Sequence, residues 1–308
     1  MRAQLELLRD SQFGVFTAAQ AELEYTRQEI RTRIRLGKWV RVFRGVYRED
    51  GTPPTPALCV EAARLSMGLP TIVAGYDTAA ELHGFSVAEG AATHVFGVQR
   101  RRSEQLVVHE DRLDSATVEL VDETLCTNAV RTAVDVARTA NRMDALATLD
   151  AAVGQGLSAE ALIAEIERHH RRRGFSQATE MIGLADSRAE SPMESYTRLR
   201  CIDAGLPHPE PQLEVSTPDG YRRLDLGWRQ WRIGLEYESV AWHSGLHAAA
   251  RDNARHNALT TQGWTIFYAT ASDVLSHPHR FTEPIRSAID RAASRGPSKH
   301  PGPLLRPH

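Results

Sequence analysis

The first fifty residues combine short helical stripes of apolar side chains with polar residues at the points where helices begin. Thr17–Gln20 and Thr26–Glu29 each fit a capping box, in which the two side chains satisfy backbone amides at a helix start. Gly37 ends the helix that begins at the second box. The alternating valines of residues 39–47, with Gly45 near the middle, predict a β-hairpin. Short helices followed by a hairpin predict a winged helix-turn-helix.

A dense basic stretch coincides with the last of these helices and with the hairpin. Residues 27–48 contain seven arginines and one lysine against a single glutamate. This charge density indicates contact with phosphates, although a solvated charged face is the alternative. In a winged helix the third helix enters the major groove, so we predict double-stranded DNA as a partner. The predicted nucleic-acid-binding residues of this stretch are Arg27, Arg31, Arg35, Lys38, Arg41 and Arg44.

The middle of the chain alternates helical and strand-like segments. Residues 51–56 read Gly-Thr-Pro-Pro-Thr-Pro and predict a linker. Helices are predicted over 57–67 and 78–83, and strands over 93–98 and 105–108. We find no catalytic constellation here and interpret its scattered histidines as ordinary surface or core residues: His83, His94 and His109.

Two further arginine clusters lie in the middle region, Arg100–Arg102 and Arg171–Arg173. Each would either extend the DNA-binding surface or lie in an exposed loop. The sequence leaves both interpretations open.

From residue 187 the pattern changes to that of a second fold. Ser191-Pro-Met-Glu194 places serine, proline and glutamate where a helix start prefers them. The following predicted elements are strands over 212–216, 221–228 and 231–239, a helix over 248–261, a strand over 264–269 and a helix over 282–294. The predicted order is therefore α-β-β-β-α-β-α.

These patterns together predict a mixed α/β chain of several domains. The 308 residues suffice for about two or three domains. We predict a winged helix-turn-helix, a mixed middle domain, an αβββαβ domain of restriction-endonuclease type and a disordered tail. Their predicted bounds are 1–50, 57–185, 187–295 and 296–308.

Carboxylates gather on two neighbouring strands of the last predicted domain. If the connection between the strands is centred between residues 230 and 231, Asp225 lies opposite Glu236, at a Cβ separation of roughly 5 Å. Glu238 projects to the same face as Glu236, and Glu194 could approach from the preceding helix. Such carboxylates suit Mg²⁺ or Mn²⁺, which activates water and stabilises phosphate charge.

At these residues the chain resembles the PD-(D/E)XK nucleases, in the branch related to very-short-patch-repair endonucleases. The similarity covers residues 187–295 and includes the string Gly234-Leu-Glu-Tyr-Glu-Ser-x-x-Trp-His243. It implies a metal-dependent DNA endonuclease with Asp225, Glu236 and Glu238 at catalytic positions. By the same resemblance His243 is a candidate base or phosphate ligand, and Arg251 and Arg255 could clamp phosphate.

Each of these acidic residues also has a structural interpretation. Glu238 occupies the position that is a lysine in most of these nucleases, so a nuclease fold without activity is the alternative function. Glu194 is explained equally well by its capping box, and Glu238 could pair with Arg223 across the strands. Asp225 and Glu236 favour the metal site, because unpaired charge among apolar strand residues is expensive.

The first half of the chain resembles the AbiEi family of type IV antitoxins. The resemblance rests on Gly14–Gln20, Ile34–Val42 and Arg44–Tyr47, and in the middle region on Thr78–Gly84 and Thr127–Asp135. It implies operator binding and transcriptional autoregulation, and a cognate toxin or self-association as further contacts. A toxin-binding protein with weak DNA affinity is a third class of function.

Composition narrows the cellular setting. No apolar run approaches the ~20 residues that span a bilayer, and the first residues have no apolar core of a secretory signal. The three cysteines are far apart, which is typical of a reducing compartment. We therefore expect a cytoplasmic protein without a membrane partner.

Overall fold

The computed structural model describes residues 1–87, 92–97, 101–217, 220–238 and 258–294. The chain divides into two compact units, Met1–Ala185 and Asp186–His308. Helices and three separate sheets confirm the mixed α/β class. The finer division into four segments stays a prediction.

The start of the first unit has the elements of a winged helix-turn-helix. They are α1 (Ala3–Asp10), β1 (Val15–Thr17), α2 (Ala18–Glu22), α3 (Arg27–Arg35), β2 (Trp39–Phe43) and β3 (Val46–Glu49). Both predicted capping boxes are present, at Thr17 and Thr26. The strands β2 and β3 form the predicted hairpin, which we call the wing, and β1 adds to it in the order β1-β3-β2. The pattern did not predict β1, a strand of three residues.

The rest of the first unit surrounds a six-stranded sheet in the order β6-β7-β5-β4-β9-β8. Its elements are α4 (Pro56–Met67), β4 (Val73–Ala74), α5 (Tyr76–His83), β5 (Thr93–Phe96), β6 (Arg101–Arg102), β7 (Leu106–His109), β8 (Val118–Val121), β9 (Thr124–Thr127), α6 (Ala129–Thr139), α7 (Arg142–Gly154), α8 (Ala159–Glu167) and α9 (Phe175–Leu184). The predicted helices and strands of this region are confirmed within a few residues. The short strands β4 and β6 and the hairpin β8–β9 were not predicted.

One hydrophobic core joins the wing to the middle of the unit. Phe43 and Val46 of the wing are buried in the same cluster as Leu58 of α4, Val95 of β5 and Val108 of β7. Helix α4 begins at Pro56, inside the segment 51–56 that we predicted to be a linker, and the hydroxyl of its N-cap residue Thr55 accepts the N–H of Leu58 at 3.2 Å. The wing is therefore packed against the six-stranded sheet and α4, and is not tethered loosely to them.

The described elements of the second unit surround a four-stranded sheet, β10-β11-β12-β13, and follow the predicted order apart from one short helix, Ala271–Ser276, that the sequence did not predict. They are α10 (Pro192–Asp203), β10 (Glu210–Thr217), β11 (Gly220–Trp228), β12 (Ile233–Glu238), β13 (Thr265–Thr270), α11 (Ala271–Ser276) and α12 (His279–Ser294). Strand β12 is antiparallel to β11 and parallel to β13. The predicted helix over 248–261 lies largely outside the described residues.

Strand β11 changes face near its centre. Leu226 packs with Leu235 against the helices, whereas Leu224 packs in a second cluster with Leu213. Residues two apart in a regular strand share a face, so the strand is distorted at Asp225. On the neighbouring strand β10, Gln212 has a positive φ of 50°. It lies between Pro211 and Leu213, whose partners on β11 are Leu226 and Leu224. The distortion thus falls at the residue that we predicted to bind metal.

Candidate functional site

The predicted basic residues of the winged helix lie on its surface. Arg27, Arg31 and Arg35 follow one another at intervals of one helical turn along α3, and all three are exposed. Arg27 also pairs with Glu22 at 3.1 Å, an exposed ion pair that contributes little to stability. The remaining predicted residues, which are exposed too, are Lys38, Arg41 and Arg44. Helix and wing therefore both carry exposed basic side chains.

Two other cations of the same stretch have structural roles. The guanidinium of Arg33 lies over the rings of Tyr25 and Trp39, 4.4 and 5.5 Å from their centroids. Arg48 donates hydrogen bonds from one nitrogen to backbone carbonyls that follow β3, including that of Thr52 at 2.7 Å. The sequence could not separate these residues from the exposed ones, because their aromatic and carbonyl partners are set by the tertiary fold.

A buried ionic network connects α6 to α8 in the first unit. The fully buried carboxylate of Asp135 accepts hydrogen bonds from Arg131 Nε at 2.6 Å and from Arg138 Nη1 at 3.0 Å. Arg138 Nη1 also contacts Nδ1 of buried His169 at 3.1 Å, and His169 Nε2 contacts Glu165 at 3.1 Å. We call these five residues the buried network.

The contacts of the buried network assign an acceptor role to one ring nitrogen of His169 and a donor role to the other. An arginine nitrogen can only donate, so Nδ1 of His169 must accept from Arg138. An ionised carboxylate can only accept, so Nε2 must carry the proton that Glu165 accepts. These two contacts hold the His169 ring in one orientation, which connects α6 to the end of α8.

The structure corrects our interpretation of the middle histidines as scattered. His109 Nε2 lies 3.1 Å from His94 Nδ1, because β5 and β7 are neighbours in the sheet. The ring of Tyr76 stacks on His109 with centroids 3.9 Å apart, and its hydroxyl donates to Asp111 at 3.2 Å. Burial, together with the nearby carboxylates of Asp135 and Asp111, raises the pKa of Tyr76. His83 instead contacts the carbonyl of Thr127 at 2.8 Å.

In the second unit the predicted strand register is confirmed. The pair Leu226 and Leu235 lies directly opposite across β11 and β12, and the next residues along are Asp225 and Glu236. Asp225 Oδ2 accepts the backbone N–H of Tyr237 at 2.8 Å. Both acidic side chains are partly buried. Two carboxylates are thus held on adjacent strands beside the distortion of β11.

Glu194 forms half of its predicted capping box, because its carboxylate accepts the backbone N–H of Glu190 at 3.1 Å in place of that of Ser191. It accepts from Ser191 Oγ at 2.9 Å, while its own N–H donates back to that hydroxyl at 3.3 Å. Gln212 Nε2 donates to its other carboxylate oxygen at 2.6 Å. Gln212 lies on β10, so Glu194 is connected to the strand that pairs with β11, which carries Asp225.

The sequence also allowed Glu238 to pair with Arg223 across the strands, and the ion pair that the structure gives for Arg223 is with a different residue. Glu238 is exposed at the end of β12. Arg223 forms an ion pair with Glu190 at 2.7 Å. The metal and catalytic roles of the acidic residues stay predictions.

The described part of the chain does not by itself complete a metal site. Among those residues, no group of three or more His, Cys, Asp or Glu side chains is placed to hold an ion. The predicted residues His243, Arg251 and Arg255 lie outside the described ranges. Asp225 and Glu236 offer only oxygen atoms as ligands, which is the kind of ligand that Mg²⁺ and Mn²⁺ prefer.

Residues 2–49 match a family described as the AbiEi antitoxin, a transcriptional regulator. The matched segment ends with β3 and therefore coincides with the winged helix-turn-helix. The predicted resemblance of this segment is confirmed. The resemblance of the second unit to nucleases stays a prediction.

Two proteins of Mycobacterium tuberculosis, Uncharacterized protein MT2308 of strain CDC 1551 and Uncharacterized protein Rv2248 of strain H37Rv, are similar over most of the chain. Each is 38% identical over 276 residues, which cover 88% of this chain and 100% of the relative. The chain belongs to the family of these two proteins. Because the aligned length exceeds the 185 residues of the first unit, the similarity extends into the second.

Within the described residues, no helix has the length and apolar character needed to cross a membrane.

Proposed function

We propose that this protein is a DNA-binding transcriptional regulator of the antitoxin type, which contacts duplex DNA through its winged helix-turn-helix. The observation that carries the proposal is the exposed basic surface of α3 and the wing, within the segment that matches the AbiEi antitoxin regulators. Helix α3 would enter the major groove and the wing would contact flanking phosphates. By the same resemblance, a cognate toxin or a second copy of the chain is a further partner.

The test is binding to the DNA upstream of the protein's own gene, compared with mixed-sequence DNA of equal length. We expect tighter binding to the upstream fragment. The logarithm of the binding constant should fall linearly with the logarithm of the salt concentration, with a slope of about 0.9 per phosphate contacted. The measurement is a fluorescence-anisotropy titration at several salt concentrations. Binding that is absent at low salt would refute the proposal.

A second function, metal-dependent cleavage of DNA, is favoured by one specific observation in the second unit. Asp225 and Glu236 lie on adjacent strands of an α-β-β-β fold, each next to the paired residues Leu226 and Leu235, and Asp225 accepts the backbone N–H of Tyr237 on the neighbouring strand. We propose that these two side chains would hold Mg²⁺, with Glu194 and Glu238 as further acidic groups. The bound ion would supply Lewis-acid activation of water and of the phosphate.

Cleavage is tested with supercoiled, linear and mismatched DNA in Mg²⁺, Mn²⁺ or EDTA. We expect metal-dependent nicking by the wild type and its loss, by on the order of 100-fold or more, in Asp225→Ala. Asp290→Ala, which removes an exposed carboxylate of α12, is the matched control and should cut normally. If wild type and both variants are equally inert, the second unit is a nuclease fold that does not cut.

A further inference from the structure

A cleft separates the wing from a turn of the six-stranded sheet. It has a volume of about 360 Å³ and is lined by four consecutive residues of the wing and two of the turn between β6 and β7: Arg41, Val42, Phe43, Arg44, Ser103 and Gln105. We call it the wing cleft. It belongs entirely to the first unit, yet two of its six lining residues lie outside the winged helix.

The two walls of the wing cleft are held together by packing. Val42 and Phe43 contact the core that contains Leu106 and Val108 of β7. Ser66 of α4 donates a hydrogen bond to the carbonyl of Arg44 at 3.0 Å, which fixes the start of the wing tip. The turn from β6 therefore has a defined position beside the wing.

The turn itself is closed by its own hydrogen bonds. Ser103 N–H donates to the carbonyl of Leu106 at 2.8 Å, and Leu106 N–H donates to Ser103 Oγ at 3.1 Å. The carbonyl of Gln105 accepts from Thr93 N–H at 2.9 Å, while the residue as a whole is exposed. A change confined to the Gln105 side chain would leave this backbone intact.

The chemistry of the wing cleft suits a phosphate group. Two arginines, a serine and a glutamine line it, and no carboxylate does. Glu104, the acidic residue of the turn, is exposed and is not part of the lining. Immediately before Ser103 the sequence places two more positive charges on the edge strand β6, Arg101 and Arg102. Arginine with hydroxyl and amide donors is the set of groups that commonly contacts phosphodiester oxygens.

We propose that the turn between β6 and β7 is a second phosphate-contacting element, so that DNA bound to α3 places a backbone phosphate of its flank in the wing cleft. The footprint on DNA then extends beyond the winged helix to the six-stranded sheet. The inference rests on the proposed function, since it specifies how the same DNA is held.

The experiment compares opposite charge changes at one exposed position. Gln105→Glu introduces a negative charge of nearly the same shape, whereas Gln105→Lys introduces a positive one. The probe is a fluorescent duplex of mixed sequence spanning roughly four helical turns, titrated at low salt. We expect Gln105→Glu to bind about three- to tenfold more weakly, and Gln105→Lys to bind more tightly with a salt dependence steeper by about one contact.

Ser176→Glu is the matched control, because it adds the same charge at an exposed position in the first turn of α9. Its affinity should stay within about twofold of the wild type. If all three variants bind like the wild type, or if the two negative variants weaken binding equally, the inference about the turn is overturned.

The outcomes also separate this inference from the proposed function. If replacement of the α3 arginines abolishes binding while both Gln105 variants behave as wild type, the winged helix binds DNA without the turn. If wild-type protein does not bind the duplex at low salt, both proposals fail.

Discussion

Replacing Asp135 with asparagine is expected to lower the free energy of unfolding of the first unit by about 3–5 kcal/mol, because two buried arginines lose the carboxylate that compensates them. For a unit of 185 residues this corresponds to a fall in melting temperature of roughly 6–20 °C. The measurement is thermal and urea unfolding followed by circular dichroism. Removing one partner of a buried pair costs more than the pair contributes, since the remaining charges stay buried.

Glu180→Gln provides the control for this prediction. Glu180 forms two hydrogen bonds with Arg142, at 2.6 and 2.8 Å, but both side chains are substantially exposed. Its loss should therefore cost less than about 1 kcal/mol. Equal effects of the two substitutions would show that burial of Asp135 is not what makes its charge important.

Replacing Arg27, Arg31 and Arg35 together with alanine is expected to weaken DNA binding on the order of 100-fold at low salt. The slope of logarithmic affinity against logarithmic salt should decrease by about 2.7 if each side chain contacts one phosphate. If one of the three contacts a base edge and not a phosphate, its replacement would still lower the affinity but would leave its part of the salt slope unchanged. The measurement is the same anisotropy titration over a range of salt.

The fold of α3 should survive these changes. Alanine is the most favourable residue for a helix interior, and the three arginines are exposed. A control variant lacking Arg142, Arg168 and Arg280, which are partly or largely exposed outside the winged helix, removes the same charge. If the control weakens binding as much, the effect comes from net charge and the winged helix is not the DNA-binding surface.

The sequence predicted best what local interactions determine. Thr26 and Glu29 are three residues apart, and their capping box forms wherever that helix begins. The register of β11 and β12 follows from the tight connection between them, so the pairing that places Leu226 opposite Leu235, the residues adjacent to Asp225 and Glu236, could be read from the sequence. The order of elements in the second unit was predictable for the same reason.

What escaped prediction depends on residues distant along the chain. Arg138 and His169 are 31 positions apart and meet only because α6 and α8 pack together. His94 and His109 lie on strands whose parallel pairing has no local turn to reveal it. The positive φ of Gln212 is likewise a property of the paired strands and not of the local sequence.

Because the wing and the six-stranded sheet share one core, binding of DNA to the winged helix is expected to change the stability of the whole first unit. A ligand that binds only the folded state stabilises the whole cooperative unit, by about 2.7 kcal/mol at a hundredfold excess over its Kd. Because Phe43 and Val46 are buried with Val95 and Val108, amide exchange should slow in β5 and β7 as well as in the wing when DNA binds. Conversely, a substitution deep in the sheet is expected to weaken the proposed DNA binding without contacting the DNA.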